Sequence, residues 1–273
     1  MTQDLTPNTI NMSTFDTIPA TKKEALVETM LRIADDRLIH GHRLSEWAGH
    51  GPELEEDLAL ANVALDMIGH ASSLYAYAAE IENKSDEDHY AYFRDDIDFK
   101  NIAMVELPKG DFAFTIARQF LFSSFSYFLY EALIEIADDD QFKGMLQKHL
   151  KEIKYHLRHS REWVLRLGDG TEESHNRIQE AFDEIWMYTG EMFDMDDTDR
   201  KAIDQNLYVD VQSFKSKWRS LVNDTLEEAT LTVPDYEQYM FTGARSGRHT
   251  EHLGPLLAQM QFLRRSYPDA EWK

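Results

Sequence analysis

Apolar residues recur at helical spacing along most of this chain. Between Lys22 and Trp47, the residues Leu26, Met30, Ile33, Ala34, Leu38 and Leu44 mark one face of a first helix, which Gly49-His50-Gly51-Pro52 ends. A second helix is predicted from about Leu54 to Ile81. Its apolar positions (Leu58, Ala61, Leu65, Ile68, Leu74, Ala78, Ile81) spread so widely that more than one face is expected to be buried. Residues 83–108 break the pattern as an acidic excursion interleaved with Tyr90, Tyr92, Phe93 and Phe99, aromatics that predict docking onto the helices. A third helix starts at Asp111, a good N-cap, and runs to Ala137 through the very apolar stretch Phe120–Leu133, which belongs at the centre of a bundle. Asp138-Asp139-Asp140 is a turn. A fourth helix covers about Gln141–Leu167, a fifth runs from Thr171-Glu172-Glu173 to Phe193, an acidic link spans Asp194–Asp199, a sixth helix covers Val211–Ala229, and a last one about His249–Arg265.

No proline interrupts the chain between Pro108 and Pro234, which favours long helices over many short strands. The expected fold is all-α: a ferritin-like four-helix bundle with additional C-terminal helices, above about 60 % helix and without sheet. Residues 1–20 are predicted to be a disordered or strap-like N-terminal tail, and residues 21–273 a single helical domain. The tail carries no Lys, Arg or apolar core of a signal peptide, and no apolar run reaches the ~20 residues of a membrane span. A cytoplasmic location is the expectation.

Charge and composition narrow the chemistry. With 28 Lys plus Arg against 50 Asp plus Glu, the net charge of −22 disfavours nucleic acid and anionic membranes as partners. The absence of cysteine excludes disulfides, thiolate metal sites and thiol nucleophiles. No Walker loop, dinucleotide fingerprint or Gly-x-Ser-x-Gly elbow occurs.

Two segments share one signature. Asp66-Met67-Ile68-Gly69-His70 and Glu152-Ile153-Lys154-Tyr155-His156 each place a carboxylate four residues before a histidine. In di-iron bundles two helices supply one Glu each, and two others supply Glu-x-x-His. Here those motifs read Met67-x-x-His70 and Ile153-x-x-His156, so the histidines stand and the chelating acids are absent. Asp66 and Glu152 lie about 100° around their helices from the lost positions, and each could hydrogen-bond to a histidine or share a single metal with it. Glu46, beside Trp47, is the candidate single glutamate of the first helix. The third helix offers Phe122-Ser123-Ser124-Phe125 and no acid before Glu131. The pattern predicts a vestigial metal site formed by Glu46, Asp66, His70, Glu152 and His156, with no metal held and no catalytic residue in this chain. An isolated buried histidine is otherwise an ordinary core residue with a hydrogen-bond partner. His149, Glu152, His156 and His159 also form a polar stripe, read as a solvated or interfacial face or as an adventitious metal site.

Near the C-terminus, Arg245, Arg248, His249, Glu251 and His252 follow the glycines of Thr242-Gly243-Ala244-Arg245-Ser246-Gly247. They are read as a contact for a partner or for a phosphate or CoA group, since arginine forks suit phosphate. Ion pairs with the chain's own acids are the alternative, and His249 and His252 are read as capping or interface residues.

Four stretches together resemble one family: 43–62 (Arg43-Leu44-Ser45-Glu46-Trp47-Ala48-Gly49-His50-Gly51-Pro52 and onward to Asn62), Phe114-Thr115-Ile116-Ala117-Arg118-Gln119, Tyr155-His156-Leu157-Arg158-His159-Ser160, and Gly243-x-x-x-Gly247-x-His249-Thr250-Glu251-His252-Leu253-Gly254-Pro255. They are similar to the C-subunit family of the bacterial ring-1,2-phenylacetyl-CoA epoxidases, ferritin-like proteins of aerobic phenylacetate degradation. The resemblance covers nearly the whole chain after about residue 25. It implies a non-catalytic structural subunit of a multicomponent monooxygenase. The complex would contain a catalytic A subunit with a di-iron centre, a small B subunit, and a reductase that carries flavin and iron–sulfur and takes electrons from NADPH. It implies no cofactor in this subunit. Self-dimerisation is also expected, because two-fold contacts are the commonest symmetry. The chain departs from the family in its longer N-terminal tail, and Ser123 stands where some members keep an acid. The alternative is a stand-alone di-iron or mononuclear metal oxidase with an unusual ligand set.

Overall fold

The computed structural model describes residues 21–84 and 86–270, so the predicted tail of residues 1–20 lies outside the described part. In chain order the helices are α1 (Lys22–Ser45), α2 (Leu54–Glu82), the short α3 (Asp88–Tyr92), α4 (Phe112–Ile136), α5 (Asp140–Gly168), α6 (Glu172–Ile185), α7 (Asp197–Asp204), α8 (Gln212–Glu228) and α9 (Leu253–Ser266). Short turns fold α1 onto α2 and α4 onto α5 as two hairpins, and the hairpins together make a four-helix bundle. The described residues include no strand and the helix content is 73 %, above the level predicted from periodicity.

Local chemistry sets the helix ends. Thr21 and Glu24 form a reciprocal capping box at the start of α1. Asp111 caps α4 by accepting from the Phe114 N–H at 2.8 Å, as its sequence position predicts. Asp139 does the same for Phe142 and starts α5. Asn83 ends α2 in the left-handed region, at φ 55°.

Inside, α4 is buried on almost every side because α5, α6 and α8 all pack against it. Phe125 meets Phe193 edge-on at 5.3 Å, and Trp218 of α8 donates its indole N–H to Ser124 at 2.8 Å. Gly41 lets α1 and α2 close together at the level of Met67. A Cβ there would stand 2.9 Å from Ile68 Cγ1 and 3.1 Å from the Ala64 carbonyl.

Three elements differ from the sequence reading. The fifth helix stops at Ile185, and 3₁₀ turns at Trp186–Tyr188 and Gly190–Phe193 follow. This break turns Trp186 and Phe193 into the aromatic layer around Trp218, at 6.3 and 5.1 Å. The acidic link holds the start of a helix, α7, because Asp196 and Asp199 form a capping box. The last helix begins at Leu253, since His249 and Thr250 are fixed in irregular backbone by side-chain bonds to Glu106. The excursion after α2 docks as its aromatics predict: Tyr90 and Phe99 are buried, although Phe93 is half-exposed.

One side of α1 anchors these flanking segments. Asp35 receives Arg94 at 2.5 Å and the Lys100 N–H at 2.7 Å. Asp36 receives the Ile102 N–H at 2.8 Å and Arg245 at 3.0 Å. Arg32 binds Asp199, Asp196 and Glu28 at 3.0, 2.8 and 3.0 Å. Among the described residues, no helix is long and apolar enough to cross a membrane.

Candidate functional site: a histidine seam inside the bundle

α2 and α5 face each other in antiparallel register, and the two Asp/Glu-to-His segments meet across that seam. His70 Nε2 lies 2.5 Å from Glu152 Oε2, and His156 Nε2 lies 3.0 Å from Asp66 Oδ2. Each acid thus serves the histidine of the opposite helix and not the one four residues along its own. The seam continues in both directions. Ser73 Oγ and His149 Nε2 are 3.1 Å apart, and His159 Nε2 and Glu56 Oε2 are 2.9 Å apart. The His70 and His149 rings stack at 3.9 Å. The polar stripe of α5 is therefore no solvated face. His149 and His156 are buried, and each partner on α2 is supplied by the same register. The carboxylates of Asp66 and Glu152 sit at the rim, about one-third exposed.

Burial dominates the proton affinities. His70, His149 and His156 are all pushed down, His149 to about 3, chiefly because the charged imidazolium would be desolvated. Burial also raises the Glu152 carboxyl, and the nearby Asp66 charge adds to this. Burial thus favours the neutral imidazoles, each with an oxygen within hydrogen-bond reach of its Nε2.

The other half of the interior comes from α1 and α4. His40, fully buried, bonds through Nε2 to Gln119 Oε1 at 2.7 Å, and Gln119 donates to Ser123 Oγ at 2.7 Å. A relay of neutral side chains therefore stands where α4 would carry an acid. Arg37, 2 % exposed, lays its guanidinium over the rings of Phe122 and Tyr130 at 4.6 and 5.1 Å. Arg37, His40 and Gln119 were not singled out in the sequence. The signal available for Arg37 was a charged residue one position past the Asp35-Asp36 pair, 100° around the helix from the anchoring side.

Glu46 is not part of this cluster. It is the C-cap residue of α1 and pairs with Arg43 at 2.7 Å, beyond the level of the histidines. The C-terminal segment is likewise spent inside the protein. Arg245 is held by Asp36 and by the Lys100 carbonyl at 2.7 Å. His249 Nδ1 lies 2.6 Å from Glu106, and the same fully buried carboxylate accepts from Thr250 N and Oγ1 at 2.7 Å and from Asn101 at 2.8 Å. Arg248 lies over Phe241 at 5.3 Å, and Glu251 is exposed. His252 lines a cleft of about 390 Å³ together with Asp111, Glu180, Glu184 and Arg177. The three acids and an arginine already bound to Asp111 and Glu173 do not suit a polyphosphate. Arg245 and His249 fill the valences of the molecule's own buried acids, the ion-pair alternative of the sequence reading, in place of a phosphate contact.

An all-α bundle with paired Asp/Glu and His segments on two facing helices defines the ferritin-like class. The chain belongs to the phenylacetic acid catabolic protein family, whose sequence model matches residues 1–272. It is 44 % identical over 242 residues to the C subunit of the 1,2-phenylacetyl-CoA epoxidase of Escherichia coli strain K12, a match that spans 89 % of this chain and 97 % of that protein.

The residues present do not fit a di-iron centre, which needs bridging carboxylates between two cations. The inward positions hold Met67, Ile153 and Ser123, all buried. The nearest acids, Asp66 and Glu152, are turned to histidine Nε2 atoms at the rim. No group of three or more His, Asp and Glu side chains among the described residues is placed to hold a metal ion.

Proposed function

We propose that this chain is a non-catalytic structural subunit of a multicomponent phenylacetyl-CoA 1,2-epoxidase, acting in the cytoplasm in aerobic phenylacetate catabolism. It scaffolds a catalytic A subunit, which carries the di-iron centre. A small B subunit and an NADPH-dependent reductase with flavin and iron–sulfur complete the system. The observation that carries this reading is the crossed pairing of Asp66 with His156 and of Glu152 with His70. It leaves Asp66 and Glu152 engaged at the rim, and with Met67, Ile153 and Ser123 at the inward positions oxygen activation lacks a carboxylate ligand set. The Glu46, Asp66, His70, Glu152 and His156 set is on this reading a vestigial site, with Glu46 displaced from it. The relationship to the C subunit of an epoxidase supports the assignment to such a complex.

A scaffold needs surface for its partner. Leu54, Leu58 and Leu65 of α2 share one side of the helix and are 71, 56 and 67 % exposed, an apolar row that suits contact with the catalytic subunit. The reading is tested by co-purification. The chain and the catalytic subunit, expressed together, should elute as one complex with iron confined to the catalytic subunit. Two irons per copy of this chain purified alone would defeat it.

A further inference from the structure

We propose that the guanidinium of Arg37 is the resident cation of this bundle, taking the place that metal ions hold in di-iron bundles and keeping metal out. The inference rests on the reading above that the chain holds no di-iron centre, and adds what stabilises the interior instead.

Three observations carry it. First, Arg37 lies among the rings of the interior: its guanidinium stands over Phe122 and Tyr130 at 4.6 and 5.1 Å, Phe122 is 4.9 Å from the His40 ring, and Tyr130 is 6.2 Å from His149, which stacks on His70 at 3.9 Å. Its charge adds to burial in lowering the proton affinity of His40, His70, His149 and His156. Among the described residues it makes no ion pair within 4.0 Å, unlike Arg32, Arg94 and Arg245.

Second, the four imidazoles present lone pairs to the interior. His40 Nε2 meets the Gln119 carbonyl oxygen, and the Nε2 atoms of His70 and His156 meet carboxylates, so all three donate. Ser73 Oγ spends its own hydrogen on the His70 carbonyl at 2.9 Å, so His149 Nε2 must donate to it as well. One tautomer therefore holds throughout. The Nδ1 atoms of His40, His70, His149 and His156 are buried without a protein partner. Buried lone pairs without a hydrogen-bond donor are costly, and a positive charge nearby offsets part of that cost.

Third, the positions that would neutralise two metal cations are apolar or hydroxylic: Met67, Ile153 and Ser123. One fixed positive charge surrounded by neutral imidazoles suits this reduced set. A divalent ion entering beside it would meet a like charge in a low-dielectric interior.

The test uses the full chain. Cobalt(II), followed by its visible absorption and by calorimetry, is titrated into the wild type, into Met67→Glu with Ile153→Glu, and into the same double variant carrying Arg37→Met. The double variant should bind cobalt no better than the wild type. Removing Arg37 should tighten binding by at least about tenfold, the scale on which neighbouring groups tune metal affinity. Equal binding with and without Arg37 would overturn the proposal. Two tightly bound metal ions in the wild type would instead overturn the reading beneath it. Because added carboxylates can unfold the core, a second measurement uses the wild type alone. Long-range ¹H–¹⁵N spectra at pH 7 should show His40, His70, His149 and His156 neutral with the proton on Nε2. Protonation of Nδ1 in any of them would remove the lone pair from the cage and overturn the proposal.

Discussion

The two sides of α1 handle buried charge in opposite ways. On the anchoring side, Arg32 faces Asp196 and Asp199, Arg94 faces Asp35, Arg245 faces Asp36, and Glu106 collects His249, Thr250 and Asn101. Each charge there meets an opposite charge or several donors. On the bundle side, Arg37 has aromatic faces for company, and the Nδ1 atoms of His40, His70, His149, His156 and His159 lack a protein partner. Arg118 is similar. It is fully buried, bonded to the carbonyls of Leu107 and Pro108, and pushed down to about 9 by burial and by Arg43. The anchoring side is arranged as a structural joint. The bundle side holds buried polar groups without charged partners.

The comparison breaks most sharply under substitution. Glu106→Ala strands donors from three residues and should cost about 3–5 kcal/mol, the range for breaking a buried pair. Urea unfolding with an unchanged slope would measure it. Arg37→Met removes a buried cation that has no ion-pair partner but lies near buried imidazole lone pairs, and should cost about 1–3 kcal/mol, less than Glu106→Ala. A loss from Arg37→Met as large as that from Glu106→Ala would erase the distinction between the two sides.

The response to pH sharpens it further. His149 is depressed to about 3 in the fold against 6.5 when free, so the unfolded chain takes up protons first on acidification. The stability this seam contributes is present above pH 6.5 and is lost as pH falls towards 3. Glu191, which accepts the Ala103 and Ala244 N–H groups at 2.7 and 2.6 Å, has the opposite sign. Burial raises it to about 7 from 4.5, so its contribution is full below pH 4.5 and is lost as pH rises through 7. Glu191→Gln should flatten the alkaline side of a stability–pH curve, and His149→Gln the acid side. Exchange of those two effects would contradict the assignment.

The smallest expected effect on stability belongs to the surface. Leu65→Asp should leave unfolding within about 0.5 kcal/mol of wild type. It should weaken association with the catalytic subunit by about tenfold or more, read by analytical ultracentrifugation, if the leucine row is the contact.

Much of this was legible in the chain. The 3.6-residue spacing and the absence of proline from 109 to 233 set the long helices, and Asp111 marked the start of α4. The missing acids at Met67 and Ile153 were visible in the motifs themselves. Three things were not. An i, i+4 pattern on one helix cannot reveal that its partner lies on another, so the crossing of Asp66 to His156 emerges only from the α2–α5 register. Glu46 satisfied a linear template but sits past the level of the histidines, where Arg43 claims it. Which acids Arg245 and His249 would meet was hidden, because buried acids such as Asp36 and Glu106 look like surface acids in a chain of net charge −22.

The central claim, that this chain supports epoxidation without performing it, is tested most directly by reconstitution. Oxygen-dependent turnover of phenylacetyl-CoA is measured with reductase and NADPH supplied, using both large subunits together and each one alone. The account predicts product only when both are present, and none from this chain alone. Turnover by this chain by itself, or full turnover by the catalytic subunit without it, would contradict the account.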